Sequence, residues 1–236
     1  MRNVNNNYVF SMIIKRLFRK LIRKFITKLG VLIYEANGAI ANETLPKFGN
    51  NPKNLVIDLP RRIVNPEYMF LGDHVYIGPG SLLLANRGYP FPPMQHPEKK
   101  EINQWFNPKI IIGNRVTATG NLQIGALSEI SIEDDVMFAS NVQITDGFHG
   151  YENANEPYKY QKMFRIAPIR VKRGCWIGQN VVILPGVTIG ELTIIGANSV
   201  VTKNIPDRCI AVGSPAKVIK TWDENTQRWV SVENIE

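Results

Sequence analysis

Apolar side chains recur along most of this chain at a step of six. The series Val171, Ile177, Ile183, Ile189, Ile195, Val201 is unbroken and mostly β-branched. An amphipathic helix spaces its apolar residues three and four apart and a half-buried strand two apart, so a strict six marks an internal repeat. It predicts a chain wound round a three-sided core, one flat side per hexad, with the sixth residue pointing inward. Gly follows Ile177, Ile189 and Ile195, and Pro79-Gly80 and Pro185-Gly186 fall in the same register. These residues are expected at the corners, where glycine takes backbone angles that a β-carbon forbids. The same step runs earlier through Ile57 and Ile63, through Leu71, Ile77 and Leu83, and through Ile112, Ala118 and Ile124. It then slips by two residues and continues as Ile132, Phe138, Ile144. Six or seven coils of about 18 residues, each rising about 4.8 Å, give a prism roughly 30 Å long.

Two segments break the period, residues 85–109 and 145–168. Loops of this length inside a repeat are usually functional or disordered. Trp105-Phe106 in the first suggests a lid or an acceptor-site wall. The prism is expected to span 55–206. After it, residues 207–236 carry a Gly213-Ser214-Pro215-Ala216 turn and a tail with Trp222 and Trp229, read as a capping helix or strand that covers the unpaired last coil.

Before the prism, the Asn-rich residues 1–7 read as disordered. From Tyr8 to Leu29, Phe10, Ile14, Leu17, Leu21, Phe25 and Leu29 recur at helical steps with Lys and Arg between them, and Gly30 supplies a stop. This gives a basic amphipathic helix within 1–30 and an unpatterned lead-in at 31–54. The net charge of +8 resides wholly in that helix, since the rest of the chain balances its acids and bases. The prism is therefore not expected to bind nucleic acid. The longest uncharged run is too short to span a bilayer, and no cleavable leader is evident, so the expectation is a cytoplasmic protein. Its helix either packs on protein or lies, through residues 8–29, on the anionic inner face of a membrane. Two unpatterned cysteines, Cys175 and Cys209, give no disulfide or zinc framework.

Three stretches carry a resemblance: Cys175-Trp-Ile-Gly-Gln-Asn-Val-Val-Ile-Leu-Pro-Gly-Val-Thr-Ile-Gly, then Ile195-Gly-Ala-Asn-Ser-Val-Val-Thr-Lys-Asn-Ile-Pro, then Val212-Gly-Ser-Pro-Ala-Lys-Val-Ile-Lys. Together they resemble the galactoside, maltose and xenobiotic acetyltransferase branch of the hexapeptide-repeat acyltransferases. The resemblance implies an all-β solenoid, a left-handed parallel β-helix, assembled as a homotrimer with acetyl-coenzyme A as co-substrate in a groove between neighbouring prisms. It puts Trp176 beside the pantetheine and acceptor, Gln179, Ala197 and Thr202 along the arm, and Lys203, Lys217 and Lys220 near the phosphates. Relatives often carry Arg where Lys217 and Lys220 stand, and Lys lacks the bidentate fork. Asn121 matches an acceptor-binding Asn of the galactoside branch.

Acyl transfer from a thioester to a hydroxyl or amine needs a base, and imidazole titrates nearest the working pH. His149 lies on the second excursion, where the family carries its catalytic His, in a Thr145-Asp-Gly-Phe-His-Gly-Tyr stretch resembling that of polysaccharide O-acetyltransferases. Asp146, Glu152 or a backbone carbonyl is expected to orient its ring. His74 reads as a surface residue and His96 as acceptor-facing. Neither cysteine forms a Cys-His-Asn arrangement and no serine sits in a nucleophile elbow, so direct attack in a ternary complex is expected. The histidine spacing offers no metal site of the kind γ-type carbonic anhydrases build. The expected reaction is O-acetylation of a cell-envelope glycan or its lipid-linked precursor. N-acetylation of an amino sugar, a xenobiotic acceptor and an inert scaffold are the alternatives.

Overall fold

The computed structural model describes residues 3–90 and 104–232, with side chains from Lys15 onward. The chain divides into two units, Met1–Thr44 and Leu45–Glu236. The first is one helix, α1 (Asn3–Glu43). It begins inside the segment expected to be disordered and runs straight through Gly30 and Gly38. A glycine in a helix interior costs only about 1 kcal/mol relative to Ala, and Val31-Leu32-Ile33-Tyr34 on its far side are helix-compatible, so Gly30 does not end the helix. Among the described residues no helix is long and apolar enough to cross a membrane.

In the second unit the chain passes cyclically through three parallel sheets. The first sheet takes Val56–Ile57, Tyr76–Ile77, Thr117–Ala118, Met137–Phe138, Trp176–Ile177, Ile194–Ile195 and Cys209–Val212. The second takes Arg61–Val64, Ser81–Ala85, Gln123–Ala126, Gln143–Thr145, Val182–Ile183 and Val200–Val201, and the third Met69–Leu71, Lys109–Ile112, Glu129–Ile132, Ile169–Val171 and Thr188–Ile189. All six residues of the series from Val171 to Val201 are fully buried. The step of six is nevertheless half of the inward pattern. Each hexad sends a second side chain inward two residues earlier: Val75, Val116, Val136, Cys175, Val181 and Val187 are buried too. In the last coils this place is taken by Thr193 and Ser199, whose hydroxyls donate to the carbonyls of Pro206 and Gly196 at 2.7 Å each. Small polar groups with a backbone partner thus fill the core without an unsatisfied hydrogen bond.

The corners also differ from the sequence reading. Left-handed φ falls on Gly174, Asn180, Gly186, Leu192 and Asn198, again six apart, as Pro185-Gly186 anticipated. Gly178, Gly190 and Gly196 are not among the positive-φ residues. They are small because a Cβ there would meet the next coil: 2.6 Å from the Ala197 nitrogen at Gly178, 2.2 Å from the Asp207 nitrogen at Gly190 and 2.7 Å from Val212 at Gly196.

Each prism edge has its own chemistry. Between the first and second sheets, Asn141, Asn180 and Asn198 stack as a carboxamide ladder with bonds of 3.1 and 2.9 Å. Between the third and first, an Asn or Asp side chain of one coil takes the backbone amide of another, Asp73 to Asn114 and Asn114 to Asp134. The end is capped by an antiparallel hairpin, Lys217–Asp223 with Arg228–Ser231, laid on Cys209–Val212. Trp222 pairs directly with Trp229, ring centroids 5.4 Å apart, so the cap is a strand pair rather than a helix.

Candidate active site

The edge between the second and third sheets is where the chain departs from its repeat. Both excursions leave here, after Ala85 and after Thr145, from strands that flank Gln123–Ala126 in register. The coil between them crosses the same edge with its slip of two residues, at Leu127-Ser128. Stacking therefore obliges the three crossings to lie side by side. The first excursion returns as Gly88–Tyr89 paired antiparallel with Gln104–Trp105, the second as Phe148–His149 paired with Met163–Phe164. The Gln104 carboxamide clamps them together, accepting from the Met163 nitrogen at 2.5 Å and donating to the Met163 carbonyl at 3.3 Å. His96 and residues 91–103 lie outside the described residues.

Neighbouring residues on a strand face opposite ways, so Phe148 and His149 open onto different spaces. His149 borders a cavity of about 160 Å³ whose wall includes Leu84, Asn86, Tyr89, Leu127 and Met163. Phe148 lines a wider groove of about 550 Å³ with Arg165, Leu184, Pro185 and Thr202. The His149 ring is exposed, and among the described residues its one hydrogen-bond partner is the Tyr89 hydroxyl, 3.2 Å from Nδ1. Tyr89 is 3% exposed, and burial raises its phenol above the usual tyrosine range. Asn86 is also buried; its Oδ1 accepts from the Gly88 amide at 3.2 Å.

One sequence assignment is corrected here, and a second residue lies away from the cavity. Asp146 does not touch the imidazole. It is fully buried, and its two oxygens each accept a backbone amide at 2.7 Å, from Leu127 and from Ser128. The carboxylate closes the corner made by the two-residue slip, and burial raises its pKa against the pull of those amides. Asn121 stands on the opposite edge of the second sheet with φ +50°, its Oδ1 where a Cβ on Gly80 would sit. It has the corner role of the Asn ladder, and the asparagine at the cavity is Asn86. Tyr89 and Asn86 were legible in principle, because hexad register alone stacks the residues following Ala85 beside those following Thr145.

The expected donor residues fall into two groups. Thr202 lines the groove and Lys203 follows it on the edge that holds His149. Gln179 and Ala197 sit exposed on the edge between the first and second sheets. Trp176 is 49% exposed on the outer side of the first sheet, between Met137 and Ile194. That sheet is the side of the prism opposite the His149 edge, so one copy does not bring the two rings together. Lys217 and Lys220 lie on the capping strand, Lys217 exposed and Lys220 half-buried. The turn before them docks on the second sheet through the Ala216 amide and the Val200 carbonyl, 2.8 Å. Among the described residues no three His, Cys, Asp or Glu side chains gather as metal ligands.

The profile of the bacterial transferase hexapeptide (six repeats) family matches residues 168–203. A putative acetyltransferase of Schizosaccharomyces pombe, C18B11.09c, is 34% identical over 160 residues, 64% of this chain and 74% of the relative. The chain belongs to the hexapeptide-repeat acetyltransferases. The putative lipopolysaccharide biosynthesis O-acetyl transferase WbbJ of Escherichia coli K12 is 31% identical over 126 residues. The match spans 51% of this chain and just under two thirds, 64%, of WbbJ. Among solved structures, a variant of AntD, an N-acyltransferase from Bacillus cereus in complex with dTDP and coenzyme A, superposes with a TM-score of 0.58 at 22% identity. It covers 76% of this chain and 87% of that one, a likeness of fold.

Proposed function

We propose that this acetyltransferase moves an acetyl group from acetyl-coenzyme A to a sugar hydroxyl of a cell-envelope glycan or its lipid-linked precursor, with His149 as general base. The observation that carries this reading is the exposed His149 imidazole at the mouth of a small cavity, on the edge that also carries the Thr202 groove. The acceptor hydroxyl enters the cavity, where the Asn86 amino group donates to it. His149 takes its proton as the oxygen attacks the thioester carbonyl. The new C–O bond forms, the C–S bond breaks, and the imidazolium returns the proton to the departing thiolate. No acyl-enzyme intervenes: the Cys175 thiol is buried, pushed up to about 11, and donates to the Gly190 carbonyl.

The donor's arm lies along Phe148, Leu184 and Thr202, with Lys203, Lys217, Lys220 and Arg165 as charges for phosphate. The exposed apolar row Tyr76, Met137, Trp176 on the first sheet supports a homotrimer. Each copy lends Trp176, Gln179 and Ala197 across the seam to the next copy's His149. In this reading the coil winds left-handed, as in the family. The basic side of α1 rests on anionic lipid and holds the enzyme near a lipid-linked acceptor.

The deciding experiment follows thiol release from acetyl-coenzyme A with isolated lipid-linked glycan as acceptor. His149→Ala should lower turnover by about 10²–10⁴-fold with coenzyme A binding intact, whereas loss of binding would move His149 out of the base role. Acetylation of an amino-sugar acceptor in place of a hydroxyl would assign the N-acetyl reaction instead. Removal of α1 should abolish recovery with anionic vesicles, and unchanged recovery would refute the lipid contact.

A further inference from the structure

Tyr89 and His149 meet edge to face, ring centroids 5.2 Å apart and planes at 68°. The Tyr89 oxygen lies 3.2 Å from His149 Nδ1, and the same hydroxyl donates its hydrogen to the backbone carbonyl of Lys159. A phenol has one hydrogen and two lone pairs, whereas a carbonyl can only accept. With the hydrogen committed to Lys159, Tyr89 can bond His149 only as an acceptor, so Nδ1 must carry the ring's hydrogen. In a neutral imidazole the lone pair then stands on Nε2.

We infer that Tyr89 is a positioning residue: the chain His149 Nδ1–H to Tyr89 O–H to Lys159 C=O fixes His149 in the tautomer whose Nε2 is free to take the acceptor's proton. This rests on the reading of His149 as the base and adds how that base is held, by a neutral hydroxyl and a peptide dipole rather than by a carboxylate. In turnover Nε2 gains the acceptor proton and returns it to the thiolate, while the other ring hydrogen stays on Nδ1, donated to the Tyr89 oxygen throughout. The phenol, whose pKa burial raises further above the ordinary tyrosine range, neither gains nor loses a proton.

The chain of bonds also joins the two excursions. Tyr89 comes from the first excursion, and His149 and Lys159 from the second, two residues before and on the near side of the Gln161-to-Met163 return. The Gln104 clamp on Met163 holds the two hairpins in contact. The imidazole is therefore held by groups from both excursions.

The test uses full-length protein labelled with ¹⁵N at histidine, with the His149 signals identified by their loss in His149→Ala. The expected spectrum of neutral His149 shows a protonated Nδ1 and an unprotonated Nε2; a protonated Nε2 would overturn the inference without any variant. Tyr89→Phe keeps the ring contact and removes the hydroxyl. It should spread His149 over both tautomers and lower kcat by about tenfold, the scale of one hydrogen bond, with KM for acetyl-coenzyme A unchanged. Wild-type kcat together with an unchanged nitrogen pattern in Tyr89→Phe would also overturn it. Full turnover in His149→Ala would instead overturn the base reading, so the two failures are distinguishable.

Discussion

Replacing Asp146 by Asn separates a structural carboxylate from a catalytic one. In the wild-type corner one carboxylate oxygen accepts from the Leu127 amide and the other from Ser128, both at 2.7 Å, and the group is fully buried. Asparagine keeps the shape and one acceptor, but turns an N–H₂ toward the second amide. One buried donor left without a partner costs about 1–3 kcal/mol. For a chain of this size each kcal/mol moves the midpoint by about 2–4 °C, so Tm should fall by roughly 2–12 °C. Turnover at 25 °C should stay close to wild type, because the ring of His149 is held by Tyr89.

The pH dependence carries a sign. Burial raises the Asp146 carboxyl in the fold, so the folded state binds its proton more tightly than the unfolded chain. That contribution is complete below the ordinary carboxylate range and is lost as pH rises through the raised value. Carboxylates held low by hydrogen bonds, Asp134 by Asn114 and Asp207 by Lys172, act with the opposite sign. They cancel between the two proteins. The stability advantage of wild type over Asp146→Asn should therefore be largest in acid and shrink as pH rises. Thermal unfolding and steady-state kinetics on the same preparations check both points. An unchanged Tm with a large loss of kcat would refute the reasoning and return Asp146 to the catalytic group.

Gly178→Ala presses a Cβ to within 2.8 Å of two backbone atoms of the next coil and should cost about 1–3 kcal/mol or more through overpacking. Gly186→Ala has room, Ala167 being nearest at 3.4 Å, and should cost about 1–2 kcal/mol from its φ of +80° alone. Denaturant unfolding that ranks Gly186→Ala as the worse would contradict the close-approach explanation. Gln104→Ala removes both bonds to Met163 and should raise the acceptor KM by on the order of tenfold while coenzyme A affinity, measured by calorimetry, is unchanged. Cys175, with its thiol pushed up to about 11, should resist iodoacetamide at pH 8 in native protein; rapid alkylation would reopen the acyl-enzyme route.

The repeat was legible because a winding chain has to place an apolar side chain inward at a fixed interval, and Val171 to Val201 never miss that interval. The second inward position is hidden in the sequence, since in the last coils Val and Cys give way to Thr193 and Ser199, which look polar until a backbone carbonyl is found opposite them. The torsional reason for a corner glycine holds at Gly186 and not at Gly178, because torsion and crowding both select glycine and only the packing of the next coil tells them apart. α1 runs past the end expected at Gly30 because a single helix-weakening residue does not stop a helix.

Within the site, the excursion and its local motif single out His149, whereas Asp146, one of the expected ring partners and three residues away in sequence, does not meet the imidazole. Adjacency along the chain says little where the chain turns a corner: Asp146 points into the slip it closes, and the residue that meets the imidazole arrives from Tyr89, sixty positions earlier. What the sequence by itself determined is the period, and with it the prism, its excursions and the histidine carried on one of them, because those follow from side-chain spacing. Only the tertiary structure decided which groups share an edge, that Tyr89 and Asn86 rather than Asp146 and Asn121 border the cavity, and that Trp176 stands across the prism from His149. The stacking of coils brings together residues that sequence keeps apart, and hydrogen-bond direction is fixed by what lies opposite each group in space.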